Sequence, residues 1–505
     1  MTRLLRTTTL LLLLLQRAPA DGLFGTEPLS RPSRSYDALH YRIEVQLDDE
    51  RKRVIGRTTI SLVPLVSALD SVLLHAVDLD VSSVKDGSGR AIRFRNTGNE
   101  LIAYLHKPGS FADTVVLVVE YTATPARGLY FWRPDSNNPH RPSQVWTQGE
   151  DMDNRHWFPC WDFPNDRATS EVIATVRDAW TLLSNGKLVS VKHDRANRTK
   201  TFHWSQSKPH VSYLVMLAAG EYEIVTESYR NIPLQYYLYK NRVEDGKRSL
   251  AATPRVMKYF EEATGFPYPW EKFAQIYITD FMWGGMENTS AVTLNESFLI
   301  DQNGLLDFTG DDVVAHELAH QWFGDLVTCR DWPELWLNEG FANYFEALFK
   351  RADKGFDEYQ LDLMQQAAGI FETERVQGRK PIVGKNSFAT NLYSKGAWVL
   401  YMLHNLVGEK EFFRAVKHYL DRNAFTSVSS YDFIRAVEEA TGQNLDWFFD
   451  QWLFKAGYPH LSVTQRWNDT ASTLLLTLRQ EQEMDSLTGV FILPMDIECT
   501  TSGGK

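Results

Sequence analysis

The chain has 505 residues, 43% of them hydrophobic and 13% aromatic, and a formal net charge of −11. That length exceeds one ordinary domain, and the composition is globular, neither disordered nor fibrous. The acidic balance speaks against nucleic acid or anionic lipid as partners.

The start reads as a secretory signal peptide over residues 1–20. Arg3 and Arg6 precede a short apolar run ending at Leu15, and Ala18-Pro19-Ala20 supplies a small-x-small cleavage site. The apolar run is about half of what spans a bilayer, and no later stretch is longer. The expectation is therefore export to a periplasmic or extracellular location without stable membrane insertion. Cleavage after Ala20 removes Arg3, Arg6 and Arg17 and no acid, which takes the charge from −11 to −14. Three cysteines (Cys160, Cys329, Cys499) cannot all pair and match no zinc ribbon; the pairing of any single disulfide stays open.

Residues 21–225 are expected to form an N-terminal all-β domain. Tyr41, Ile43, Val45 and Leu47 alternate with polar residues, and Val54–Val63, Asp113–Tyr121 and Glu171–Val176 have similar character. The stretch from Gly128 to Arg167 is dense in Trp, Pro, Asn and Asp, a long loop of the kind that frames a site.

Residues 226–460 change to a mostly helical pattern. Thr253-Pro254 opens a helix that Gly265 closes. A strand at Phe273–Phe281 follows, then Trp283-Gly284-Gly285-Met286-Glu287-Asn288, and helices at about 334–351, 357–372, 392–406, 409–422, 429–440 and 444–455. From Leu461 alternation returns through Leu474, Leu476 and Leu478, then Phe491 and Leu493. Residues 461–505 thus predict the opening strands of a β-sandwich, which needs about seven, so the chain is expected to be a fragment. No internal repeat or low-complexity tract is present. The fold class is multidomain α+β, its middle domain α-rich and catalytic.

The chemistry concentrates in Val313–Asp325. His316 and His320 are four apart, so on a helix both imidazoles face one point, while Glu317 is displaced around the helix but stays near it. This is the donor pattern of a peptide-hydrolysing zinc site. A buried helix whose histidines satisfy each other would match the short motif equally well. Glu339, in Asn338-Glu339-Gly340-Phe341-Ala342, decides against that reading: nineteen residues after His320 it can be the third ligand, leaving a fourth position for water. Zinc would make that water acidic enough to ionise near pH 7, with Glu317 as its general base. Gly340 inside a helix marks a close approach of backbone or ligand. Tyr393, in Asn391-Leu392-Tyr393-Ser394-Lys395-Gly396, is a candidate oxyanion donor, although packing explains a lone tyrosine as well. Glu346 can orient a ligand histidine or belong to a solvated helix face.

In order along the chain, Thr147-Gln148-Gly149-Glu150, Phe158-Pro159-Cys160-Trp161-Asp162, Gly284-Gly285-Met286-Glu287-Asn288, the His-Glu-x-x-His helix, Asn338–Ala342, Tyr393–Gly396 and Gln451-Trp452-Leu453 resemble the zinc aminopeptidases related to aminopeptidase N and leukotriene A4 hydrolase. The resemblance covers residues 35 to about 470. It implies a β saddle, a thermolysin-like catalytic domain, a small β-sandwich and a helical C-terminal domain, the last absent from this chain. It further implies one zinc per chain and peptide substrates with a free N-terminus. Glu150 and Glu287 would hold the substrate ammonium, Gly284 and Gly285 would let the substrate lie alongside as an added strand, and Met286 would line the first side-chain pocket. By the same resemblance Tyr393 becomes the oxyanion donor. The family usually has Ala where Gly285 stands and Asn where Asp325 stands.

Three rival readings stand beside this one. A zinc endopeptidase shares the metal site but has no use for amine-capturing acids. A non-catalytic or weakly active truncated member would act as a binding or scaffold protein. Epoxide hydrolysis needs a lipid pocket that the motifs do not reveal. Side-chain preference and oligomeric state are not encoded in any motif found.

Overall fold

A computed structural model describes residues 32–384 and 391–498. The proposed signal peptide and Cys499 lie outside these residues; Cys160 and Cys329 are buried and unpaired.

The N-terminal region is built of β-strands, with only two short 3-10 turns at Asn154–His156 and Ser212–Leu214 among its described residues. Its main sheet has seven strands in the order Lys187–Asp194, Thr199–His210, Ala168–Arg177, Tyr36–Asp48, Arg53–Pro64, Val115–Ala123, Asp80–Asp86. The alternation read in Tyr41–Leu47 is a burial pattern: Tyr41, Ile43, Val45 and Leu47 all face the core. This is what a period-two strand with one face on a core requires. A second sheet of four strands, ordered Thr181–Ser184, Leu217–Gly220, Gln144–Thr147, Leu129–Trp132, is almost entirely buried. Its strand Gln144–Thr147 runs directly into Gln148-Gly149-Glu150.

The second region opens with a five-stranded sheet ordered Tyr222–Tyr229, Ile232–Tyr239, Phe273–Ile278, Ala291–Asn295, Gly285–Met286. The short Gly285–Met286 strand pairs antiparallel with Ala291–Asn295 and forms the sheet edge. Helices α1 (Val243–Ser249) and α2 (Thr253–Thr264) precede α3 (Asp311–Ala319), α4 (Trp336–Lys354), α5 (Phe356–Gln377), α6 (Gly396–Val407), α7 (Glu409–Asn423), α8 (Ser430–Thr441) and α9 (Asp446–Phe449). Among the described residues no helix is long and apolar enough to cross a membrane.

Buried polar contacts lock the two regions together. Asn185 Nδ2 donates to Thr289 O at 2.8 Å and Gly186 N to Ser290 Oγ at 2.8 Å. Lys272 Nζ, fully enclosed, donates to Ser184 O at 2.9 Å and to Ser290 O at 3.2 Å, and lies over the Trp204 ring. These bonds bring the Glu150 loop beside the Gly285 edge.

The metal-binding helix is itself short: it ends at Ala319, and the chain turns back with Asp325 N donating to His320 O at 2.9 Å. One local expectation fails. Beyond Leu461 a hairpin forms from Leu461–Asn468 and Thr473–Gln480, but Phe491 and Leu493 lie in no strand. Glutamine side chains take the place of a ladder there. Gln480 bonds both N and O of Phe491, and Gln451 bonds both N and O of Ile492, at 2.7–3.0 Å. The backbone is thereby satisfied without a neighbouring strand.

Candidate active site

A cleft of about 780 Å³ opens between the two regions, lined by Glu150, Gly284, Gly285, Met286, Glu287, His316, Glu317, His320, Glu339 and Tyr393. Every residue singled out in the sequence for metal, catalysis or substrate is therefore on one cavity wall.

Helix α3 presents His316, and its C-cap residue His320 follows one turn on, while α4 crosses it to bring Glu339 opposite. Nε2 of His316 and Nε2 of His320 are 3.0 Å apart, and Glu339 Oε2 is 3.3 Å from each. Ligands at about 2.0–2.1 Å from a tetrahedral zinc lie roughly 3.3 Å apart, so the triangle has the size such an ion needs. The outer nitrogens are already committed: His320 Nδ1 to Phe323 O at 2.9 Å, and His316 Nδ1 to Glu346 Oε2 at 3.3 Å. That arrangement leaves both Nε2 lone pairs for a metal, and it answers the open question about Glu346. The donor set fits zinc.

The close approach of α4 to α6 depends on two glycines. A Cβ on Gly340 would sit 2.9 Å from Gly396 Cα, so both positions must lack one for α4 to seat Glu339. Tyr393 is in the π-helical turn Asn391–Lys395 that opens α6, its ring parallel to His316 at 6.5 Å.

Negative charge dominates the cleft. Burial, then Glu287 and Glu339, lifts Glu150 well above the usual carboxylate range. Burial pushes Glu317 up to about 8 against the pull of both histidines. Burial disfavours charge on Glu339 too, but His320 and His316 hold it at about 2. Burial opposes protonation of His320, yet Glu287 and Glu339 raise it to about 9. Burial and then Glu339, Glu150 and Glu287 drive the Tyr393 phenol far above its ordinary value, so it keeps its proton. Glu150 Oε1, Glu287 Oε1 and Glu317 Oε2 are buried with no hydrogen-bond partner. Buried carboxylate oxygens without a protein partner call for cations.

Several supporting residues carried no readable signal. Gln321 accepts from Ser290 N at 2.9 Å and donates to Glu287 O at 3.0 Å, which fixes the backbone at Glu287. Asn338 accepts from Cys329 N at 3.0 Å and donates to Tyr213 Oη at 3.1 Å, anchoring the start of α4 to the N-terminal region. Phe298, Phe308 and Arg127 also line the cleft. Polar residues beside a catalytic motif were the only available hint.

The donor set is the two-histidine, one-glutamate arrangement of a zinc site. Residues 37–214 match the model of the Peptidase M1 N-terminal domain and residues 248–452 that of the Peptidase family M1 domain. The chain belongs to peptidase family M1. It is 28% identical over 470 residues to Aminopeptidase 2, mitochondrial, of Saccharomyces cerevisiae, covering 89% of this chain and 48% of that one. It is 33% identical over 349 residues to Glutamyl aminopeptidase of Bos taurus (66% and 36%) and 27% over 482 residues to Tricorn protease-interacting factor F2 of Thermoplasma acidophilum (92% and 58%). The chain thus spans about half the length of the relatives it matches, or less. A solved M1 zinc metallopeptidase mutant from Deinococcus radiodurans, bound to a Tyr-Ser-Ala substrate, shares the fold with a TM-score of 0.70 at 22% identity, covering 83% of this chain and 94% of that one.

Proposed function

We propose that this chain is a zinc aminopeptidase that releases the N-terminal residue of peptides. The observation that carries the reading is the pairing of a three-donor metal triangle with two further acids, Glu150 and Glu287, whose oxygens lie in the same cleft without partners. His316, His320 and Glu339 would hold the zinc, which supplies Lewis acidity toward water and the peptide carbonyl.

The chain's own groups do the rest. Glu150 and Glu287 bind the substrate ammonium, which sets the register so that only the first peptide bond reaches the metal triangle. The free edge of Gly285–Met286 offers backbone groups to the extended substrate. Met286, fixed by Gln148 Nε2 at 3.2 Å from its sulfur, faces the first side chain. Glu317 takes the proton of the attacking water and returns it to the departing amine. Tyr393, protonated throughout, donates to the carbonyl oxygen as it gains charge.

Residues 1–20 support export of the mature protein, which N-terminal sequencing of the secreted form would check. The functional test compares a peptide with its N-acetylated form. Turnover of the free amine alone, abolished by a zinc chelator and restored by zinc, is expected. Equal cleavage of both peptides would favour an endopeptidase, and no cleavage of either a binding protein.

A further inference from the structure

We propose that the cleft holds a second, weaker cation site, in which Glu150, Glu287 and Glu339 bind an oxygen-preferring divalent ion of manganese or calcium size at the place where a substrate amine would otherwise sit. Ligand oxygens of these three residues lie within 4.8 Å of one another. Metal–oxygen bonds of about 2.3–2.6 Å put opposite ligands roughly 5 Å apart, so one ion can reach all three. An all-carboxylate set suits Mg, Ca or Mn over zinc, which prefers nitrogen and sulfur.

The acids alone would be a weak argument. What points to a ligand is Glu287: its side chain lines the cleft, the residue is 3% exposed, and Oε1 has no partner. Glu150, a half-buried residue, likewise has a buried Oε1 without a partner. Charge counting gives the same answer. A zinc ion in the histidine triangle balances Glu339 and Glu317 and leaves Glu150 and Glu287 uncompensated. Among the described residues Arg127 is the single Lys or Arg on the cleft wall, and its guanidinium is tied to Asp153 at 3.1 Å. Glu339 belongs to both sets, and two-metal sites place their ions about 3.5–4 Å apart, a distance one carboxylate bridges. The ion would exclude the ammonium of a peptide. This inhibitory consequence rests on the aminopeptidase reading; the site itself rests on the geometry.

The test is titration of zinc-loaded protein with Mn²⁺, following the electron paramagnetic resonance signal of the free ion and the zinc content together. One Mn²⁺ per chain should bind without release of zinc. Glu150→Gln and Glu287→Gln should each raise its dissociation constant at least tenfold. In the unmodified protein, 3-methylbutylamine should displace the Mn²⁺ and its N-acetyl form should not, a readout that survives if either variant misfolds. No uptake at millimolar Mn²⁺, uptake matched by zinc loss, or uptake indifferent to both substitutions or to the amine would overturn the proposal. Normal peptide turnover with no Mn²⁺ uptake defeats this site alone, while normal uptake with no turnover defeats the functional reading alone.

Discussion

The carboxylate of Glu317 rests against the backbone of Gly285, so closely that a Cβ added at Gly285 would lie 2.1 Å from Glu317 Oε1. The family-typical alanine cannot stand here without moving Glu317, the proposed general base. Because the obstacle is the tip of a flexible side chain, Glu317 can rotate away for about 1 kcal/mol or less. Gly285→Ala is therefore expected to fold normally, retain its zinc and lose about tenfold in kcat, since small displacements of a catalytic group are felt strongly in the rate. Thermal melting, metal analysis and steady-state kinetics on one preparation check all three. An unfolded or metal-free product would contradict the account.

Substitution at Glu317 itself separates base from ligand. Glu317→Gln keeps the His316–His320–Glu339 triangle, so zinc content should be unchanged while kcat falls by about 10²–10⁴. Tyr393→Phe removes one donor to the carbonyl oxygen and should lower kcat by about 10²–10³ with little change in KM. Normal turnover of an aminoacyl-coumarin by either variant would remove that residue from the mechanism.

Glu287→Gln tests amine capture. The Gln321 bond goes to the Glu287 backbone and is untouched, so the loop should stay in place. Loss of one charge facing a buried ammonium should raise KM by about tenfold or more, with a smaller effect on kcat. A change confined to kcat would point to Glu287 acting on the reacting bond instead.

Much of this was legible because the ligands follow helical spacing. Four residues put His316 over His320 on any helix, and nineteen more leave room for the crossing that brings Glu339 back. The β alternation was equally plain, since Ile43 and Val45 had to face one core. What could not be read were relationships set by distant chain. Gln321 matters through Glu287, thirty-four positions away, and Asn338 through Tyr213, 125 positions away. Phe491 looked like a strand residue because its neighbours alternate, but a strand also needs a partner, and Gln480 and Gln451 took that role. The early end of the metal helix depends on the turn that returns Asp325 to the His320 carbonyl, a bond no periodicity reports.

The Gly340–Gly396 contact makes the opposite prediction from Gly285. There the obstacle to a Cβ is backbone, 2.9 Å to Gly396 Cα and 3.0 Å to its carbonyl carbon, and no side chain can turn aside. Helices α4 and α6 must separate, which overpacking data place at about 1–3 kcal/mol. Gly340→Ala should lower the unfolding free energy by that amount, seen as a lower denaturant midpoint, and weaken zinc retention, because α4 carries Glu339. A variant as stable as the parent would mean the helices have slack.

Lys272 supplies a pH signature remote from the metal triangle. Burial lowers its ammonium to about 7, with Glu271 opposing. The ordinary value is about 10.4, so between pH 7 and about 10 the unfolded chain binds a proton that the folded chain does not. Stability from this group therefore rises with pH across that window, is lowest below pH 7 where both states are charged, and levels off above 10.4. Other groups titrate in the same range, so the measurement is the difference between the parent and Lys272→Met. Unfolding free energies from urea titrations between pH 7 and pH 9.5 should shift the difference toward the parent by on the order of 1 kcal/mol per pH unit. A flat difference would show that Ser184 O, Ser290 O and the Trp204 face stabilise the ammonium enough to keep it charged at the domain junction.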